Sequence, residues 1–234
     1  MWLLNLIFPK KCIFCRNFGK NICQDCLDKT IFNYDCFCII CQKRTLNGNT
    51  CLKCKGYLKP NKFIAPFVYY KKVRSIILKS KYFKKEFKLT KDLIDYLYIF
   101  SEQFDLNFNK NTLITYIPAD PKRFKKRGFN LAKIIAEEIG LKNNIEIKGL
   151  LQKTLSTPPL TKLSKKQRKI NIKNKFTFVY INKENCIGKD VIIVDDICTT
   201  GSTLVEATKV LKRNGFKKVT CLALAFNKKN IFLN

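Results

Sequence analysis

The sequence predicts an α/β fold, a mostly parallel sheet flanked by helices, with a small metal-built module ahead of it. Three observations lead there. Apolar, β-prone segments alternate with helical ones after residue 60, an order that requires crossover connections and so a parallel sheet. One strand, Val191 to Val194, runs into two adjacent carboxylates, a hydroxyl-rich loop and a helix. Nine of the twelve cysteines precede residue 55, and eight of these form four C-x-x-C pairs.

The chain opens with an apolar stretch, Met1 to Phe8, closed by Pro9. A bilayer needs about 20 apolar residues, so no membrane insertion is expected. The stretch also lacks a basic start and a small-residue cleavage site, and a short docking helix or strand is expected. Without an export signal the chain is expected in the reducing cytoplasm, where cysteines favour metal over disulfides.

The pairs are Cys12/Cys15, Cys23/Cys26, Cys38/Cys41 and Cys51/Cys54. C-x-x-C spacing lets two thiolates turn onto one ion, so four pairs supply two tetrahedral all-thiolate zinc sites. So short a segment buries little core of its own, and bound Zn²⁺ would supply much of its folding energy. Four-thiolate sites leave no open position and the chain contains no His, so structural rather than catalytic zinc is expected. Sequential pairing keeps the intervening loops at seven and nine residues; an interleaved arrangement would make longer, ribbon-like loops. Cys36 is the odd one. Residues 1–58 are read as this module and 59–234 as the second domain, with a linker around Gly56 to Lys62.

Strand character then covers Phe63 to Tyr70, with helices near Lys72–Lys81 and from Lys84 to about Phe104. Thr112 to Ile117 is a short strand stopped by Pro118. Asn130 caps a helix with Leu131, Ile134, Ile135 and Ile139 at helical spacing and Gly140 at its expected end. A strand is expected within 145–151, a long loop or flap over Gln152–Lys175, and a strand at Phe176–Tyr180. A strand at 190–195, a helix at 204–213 closed by Gly215 and a strand at 218–225 complete the domain.

The chemistry concentrates at Asp195-Asp196-Ile197-Cys198-Thr199-Thr200-Gly201-Ser202-Thr203. Backbone N–H groups and hydroxyls at a helix N-terminus favour a phosphate. Carboxylates beside such a cradle repel phosphate, so the acidic pair needs another task, and accepting hydrogen bonds from sugar hydroxyls suits it. The segment reads as a site for a phosphorylated ribose. It is not a Walker loop, since no Gly-Lys-Ser/Thr follows. Strand ligands sit at carboxyl ends in parallel sheets, where Asp195 falls.

This segment, from Val191 to Thr203, resembles the signature of type I phosphoribosyltransferases, which bind 5-phosphoribosyl-1-pyrophosphate (PRPP). The resemblance implies a type I phosphoribosyltransferase-like domain in which Asp195 and Asp196 hold the ribose 2′- and 3′-hydroxyls. It implies that Thr199, Thr200, Gly201, Ser202 and Thr203 wrap the 5-phosphate. Further segments narrow it: Lys81-Tyr82, Pro118 to Arg123, Lys125-Lys126-Arg127-Gly128-Phe129-Asn130, and Arg168 with Asn171. With the four cysteine pairs, these resemble the ComF/ComFC competence family, which joins a double zinc ribbon to a phosphoribosyltransferase domain. The resemblance implies a role in natural transformation, handling incoming single-stranded DNA. It leaves open an active enzyme that transfers phosphoribosyl from PRPP to an unidentified nitrogen acceptor. A third reading is an adaptor to a DNA-translocating helicase.

Pyrophosphate needs cations or Mg²⁺ nearby, and Lys81, Arg123 and Arg127 are the candidates. The glycine after Arg127 is expected to permit close backbone approach. Lys122 to Arg127 also reads as a solvated basic face or a DNA-contacting patch. Two departures stand out: Leu131 and Leu160 occupy positions where the family usually has Gln. Lys153 also stands where Arg is common. Losing two amides removes substrate contacts but leaves the phosphate and ribose contacts untouched.

Net charge is +29, from 46 basic and 17 acidic residues. Such a field favours an acidic partner, nucleic acid first. Only seven of the 46 are Arg, and a Lys-rich composition also arises without any binding role. Phe124 and Phe129, interleaved with basic residues, offer bases a stacking surface.

Overall fold

The computed structural model describes residues 9–29, 36–82, 87–99, 106, 111–153, 175–179 and 186–227. The expectations for Met1–Phe8, for most of the Gln152–Lys175 loop, and for Leu160, Arg168 and Asn171 lie outside these residues.

The elements run α1 Gln24–Asp28, a single 3₁₀ turn at Leu46–Gly48, β1 Lys62–Ile64, β2 Phe67–Val68, α2 Lys71–Tyr82, α3 Phe87–Ile99 and β3 Thr112–Tyr116. There follow α4 Pro121–Arg127, α5 Leu131–Asn143, β4 Leu151–Lys153, β5 Phe176–Phe178, β6 Asp190–Cys198, α6 Ser202–Arg213 and β7 Lys218–Phe226.

The main sheet is parallel throughout, in the order β1, β7, β6, β3, with β2 continuing the β1 edge along β7. The expected Phe63–Tyr70 strand is thus split in two at Ala65-Pro66, because Pro has no N–H to give the ladder. Beyond β3, Ile147 makes a single parallel bridge to Ile114, which is what remains of the strand expected over 145–151. β4 and β5 form a separate antiparallel pair.

Alternation along the strands divides the core into two layers. Ile192, Val194, Leu222 and Leu224 face α2, α3 and α5, while Val191, Ile193, Val219 and Cys221 face α6. The cysteine-rich segment contributes to both. Cys12, Ile22, Cys26 and Leu27 are buried in the first layer; Phe37 and Ile39 are buried in the second. The segment thereby straddles the β1 edge of the sheet, and Asn49 pairs antiparallel with Lys62 there. Covering an edge strand in this way removes a row of unpaired backbone groups from solvent. Residues 59–62 are pinned to the sheet: Asn61 N–H donates to Val219 O at 2.8 Å, and Asn61 Oδ1 accepts from Val219 N–H at 2.9 Å.

Two helix ends differ from expectation. Helix α5 passes Gly140 and ends at Asn144, which takes the left-handed conformation at φ 53°. Gly140 instead lies where a Cβ would come within 2.5 Å of the Ile147 side chain, so it is a packing contact in the helix rather than a stop. Helix α4 was not expected from the apolar pattern; all seven of its residues but Arg127 are exposed.

Candidate functional site

Parallel register sends the carboxyl ends of all the main strands to one edge. Val68 of β2 and Cys198 of β6 both pair with Phe226 of β7, so the segments that follow them start level. Beside them, the Ile117 N–H donates to Val194 O at 2.8 Å, so Pro118-Ala119-Asp120 emerges next to Asp195. A cleft of about 420 Å³ opens at this edge. Among its lining residues are Asp195, Asp196, Thr199, Thr203, Lys81, Arg123 and Arg127. Residues distant in sequence, expected to serve one ligand, therefore share one hollow.

Asp195 and Asp196 are adjacent acids with different surroundings. The Lys81 Nζ lies 2.8 Å from Asp196 Oδ2, with both side chains largely covered. Asp195 Oδ1 accepts from the Asp196 backbone N–H at 2.8 Å. Burial, reinforced by the Asp196 charge, pushes the Asp195 carboxyl up to about 8. The pair thus divides into a proton-holding acid and an ion-paired one, as two close carboxylates must when desolvated.

The loop after them turns on Gly201, which sits at φ 75° as the N-cap of α6. Thr199 to Thr203 line a small recess of about 20 Å³ that adjoins the cleft and shares Asp195 with it. The Thr200 hydroxyl oxygen accepts from the Ser202 N–H at 3.4 Å and lies 3.0 Å from the Ser202 hydroxyl.

The opposing segment is built from caps. Asp120 Oδ1 accepts from the Lys122 N–H at 3.1 Å, Pro121 occupies the first turn, and Gly128 closes α4 at φ 72°. Nothing lies within 4 Å of a Cβ built on Gly128. The left-handed cap by itself favours glycine at this position. The Arg127 guanidinium rests over the Tyr82 ring, 5.1 Å from its centroid. Asn130 fixes the following turn, donating to Ile117 O at 2.9 Å and accepting from the Ala132 N–H at 3.1 Å.

Several lining residues are not among the sequence candidates. Tyr69 follows β2 and lines the cleft; burial raises its phenol, against the pull of Arg74. Lys153 reaches Asp120 Oδ2 at 3.3 Å. Burial alone would raise the Asp120 carboxyl, but the Lys153 ammonium brings it below the ordinary carboxylate value. Only the shared strand-end edge, read from topology, could have found Tyr69, whereas Lys153 stands out in the sequence as a position where the resembled family usually has Arg. Leu131 also lines the cleft, presenting an alkyl group where an amide was looked for.

The cysteines collect into two groups, Cys12/Cys15/Cys23/Cys26 and Cys38/Cys41/Cys51/Cys54, each with its four sulfurs within 4.8 Å of one another. This is the sequential arrangement. Cys15 and Cys23 sulfurs are 3.4 Å apart, and those of Cys41 and Cys51 3.6 Å. Four thiolates at about 2.3 Å from a tetrahedral Zn²⁺ stand about 3.8 Å apart, so both groups fit zinc. The two halves repeat one local design. Arg16 and Gln42, each just after the second cysteine of a pair, adopt φ 69° and 61°, and their N–H groups return to Cys12 O and Cys38 O. Against the raising effect of burial, backbone N–H groups bring the Cys12 thiol down to about 6 and the Cys38 thiol to about 7. Both lean toward the thiolate form that binds metal. Cys36 belongs to neither group and packs against the first core layer.

Among the described residues no helix is long and apolar enough to cross a membrane. Residues 3–55 match the family model for a double zinc ribbon domain, and residues 125–231 that for a phosphoribosyl transferase domain. Along most of its length the chain is similar to Competence protein F of Haemophilus influenzae, with 26% identity over 93% of this chain and 97% of the relative. Competence protein ComFC of Streptococcus pneumoniae is 29% identical, covering 89% of each. DNA utilization protein YhgH of Escherichia coli is 31% identical over 44% of each chain.

Proposed function

We propose, from the premise that this chain belongs to the ComF/ComFC competence family, which joins a double zinc ribbon to a phosphoribosyl transferase domain, that its cleft binds a phosphorylated ribose. The ligand is PRPP or ribose 5-phosphate, and the protein serves natural transformation, handling incoming single-stranded DNA in the cytoplasm. The observation that carries the reading is a single cleft lined by an acidic pair, a hydroxyl loop at a helix N-terminus, and Lys81, Arg123 and Arg127.

In this reading the loop from Thr199 to Thr203 receives the 5-phosphate through its N–H and hydroxyl donors. Asp195 and Asp196 accept hydrogen bonds from the 2′- and 3′-hydroxyls. Lys81, Arg123 and Arg127 face the pyrophosphate. The described acids lining the cleft are Asp120, Asp195 and Asp196; Lys153 engages Asp120 and Lys81 engages Asp196. Mg²⁺ would therefore arrive with the ligand phosphates, where it neutralises charge on the pyrophosphate.

The second reading is an active phosphoribosyltransferase, favoured by the presence of three cations, enough for a diphosphate rather than one phosphate. An acceptor nitrogen would form a bond to C1 of PRPP as the C1–O bond breaks and pyrophosphate leaves with its electron pair, the nitrogen proton passing to solvent. The chain has no His to take that proton, and Leu131 offers an acceptor base no hydrogen bond. Binding is thus placed ahead of turnover.

Calorimetry with PRPP and ribose 5-phosphate tests the site. Asp195→Asn with Asp196→Asn is expected to abolish both heats; unchanged affinity refutes the pocket. Pyrophosphate release from PRPP, measured against a panel of nitrogen bases, separates enzyme from binder.

A further inference from the structure

The amino ends of the parallel strands frame a second and larger hollow, about 750 Å³. Lys62, Thr112, Asp190 and Lys218 line it, and each is the first residue of its strand. The ribose-phosphate cleft lies at the other end of the same strands. Along β6, Asp190 in this hollow and Asp195 in the cleft are five residues apart, about 16 Å at roughly 3.3 Å of rise per residue.

From this geometry we infer that the amino-end hollow and the one adjoining it form a groove for single-stranded nucleic acid. Lys55 and Lys218 are exposed at the first hollow. Lys59 lines both it and a neighbour of about 370 Å³, where Lys209 and Arg213 stand. The path is therefore continuous and cationic. Its acids are few: Asp190 in one hollow, and in the other Glu206, which pairs with Lys209 and leaves Lys59 and Arg213 uncompensated there. A phosphate backbone running along such a path exchanges its counterions for lysines.

Tyr57 supplies what a purely electrostatic patch lacks. It lines the larger hollow with its side chain anchored by its hydroxyl, which donates to Lys212 O at 3.2 Å, yet the residue is 73% exposed. An anchored, exposed ring is a stacking platform, and only an unpaired base can present its face to it. A strand rather than a duplex follows. The groove joins the second zinc ribbon to α6 and β7, so metal-supported residues 55–59 carry part of the contact. The inference rests on the nucleic-acid half of the proposed function for its ligand class, and is independent of the ribose-phosphate half.

The test is fluorescence anisotropy of labelled oligothymidylate with the zinc-loaded full chain, read across a salt series. Lys59→Glu with Arg213→Glu is expected to weaken binding by about tenfold and to lower the salt slope by about two counterions. Lys133→Glu with Lys142→Glu, the same charge change on α5, controls for bulk charge and should stay within about twofold. Tyr57→Ala should reduce affinity for the single strand and leave duplex binding as it was. The melting temperature and zinc content of the groove variant should match those of the unaltered chain, which certifies its fold. Equal losses in the groove and control variants overturn the groove. Absence of any binding by the unaltered chain overturns it together with the nucleic-acid reading, whereas the calorimetry still decides the ribose-phosphate site.

Discussion

Ile39 lies against Gly201: a Cβ built on the glycine would come 2.5 Å from Ile39 Cγ1 and 2.9 Å from Ile39 O. Ile39 stands between two cysteines of the second metal group, and Gly201 turns the loop from Thr199 to Thr203. The zinc ribbon is thus the wall behind the proposed anion site. Gly201→Ala meets both this wall and a positive φ of 75°. Strain of this kind costs about 1–3 kcal/mol, and ribose 5-phosphate affinity should fall by about tenfold or more. Ile39→Ala in the same chain removes the side-chain clash but not the carbonyl contact, so calorimetry should find partial recovery. Full affinity in Gly201→Ala would show that the loop tolerates movement of the wall.

Zinc removal should be felt beyond the ribbon. Cys12 and Cys26 are buried in one layer with the sheet and helices, and Phe37 and Ile39, which flank the buried Cys38, are buried in the other. Chelation should lower the melting temperature of the whole chain in one transition. Cys54→Ser, which breaks the second group, should weaken ribose 5-phosphate binding more than Cys15→Ser in the first, since only the second group backs Gly201. Metal analysis should find two zinc ions before chelation. Two separate transitions, or equal effects of the two substitutions, would contradict the shared wall.

What the sequence made legible was local. The run from Val191 to Thr203 carries its chemistry in consecutive residues, and the four cysteine pairs carry theirs in fixed spacing. Helix α4 had its signals too, Asp120 as cap, Pro121 at the first turn and Gly128 at the end. A helix exposed on nearly every side has no apolar stripe, so these caps stand in the sequence without the periodicity that marks a helix. The approach of Ile39 to Gly201, the place of Tyr69 in the cleft and the Lys153–Asp120 pair are set by chain topology, which no short window contains. The Gly140 reading failed for the same reason, since its neighbour Ile147 is supplied by the chain's return along β3.

Asp195 should make the ligand-free chain lose stability as pH rises. Its carboxyl is raised from the ordinary 3.8 to about 8 by burial and the neighbouring Asp196 charge. Between those values the folded state holds a proton that the unfolded state has released, so folding stability is highest below the unfolded value and falls toward the folded one. The slope is at most about 1.4 kcal/mol per pH unit. Denaturant unfolding of the zinc-loaded chain from pH 6 to 8 should show the decline, and Asp195→Asn should reduce it. Identical slopes in the two proteins would mean that Asp195 is ionised throughout.

Lys81 should matter more for PRPP than for ribose 5-phosphate. In the ligand-free structure it neutralises Asp196 at 2.8 Å, with side-chain exposures of 14% and 21% for Lys81 and Asp196. Removing the ammonium leaves two neighbouring acids facing an incoming polyanion, and breaking a desolvated pair of this kind costs about 3–5 kcal/mol at the buried limit, less here because both groups retain some water. Lys81→Met keeps the packing of the stem and removes only the charge. Both ligands then lose the neutralisation of Asp196, but only PRPP also loses a cation for its pyrophosphate. Calorimetry should therefore show a larger loss for PRPP, and NMR titration a rise in the Asp195 carboxyl value, which the Lys81 charge holds down. Equal losses for the two ligands would confine Lys81 to holding Asp196 and take it out of the pyrophosphate contact.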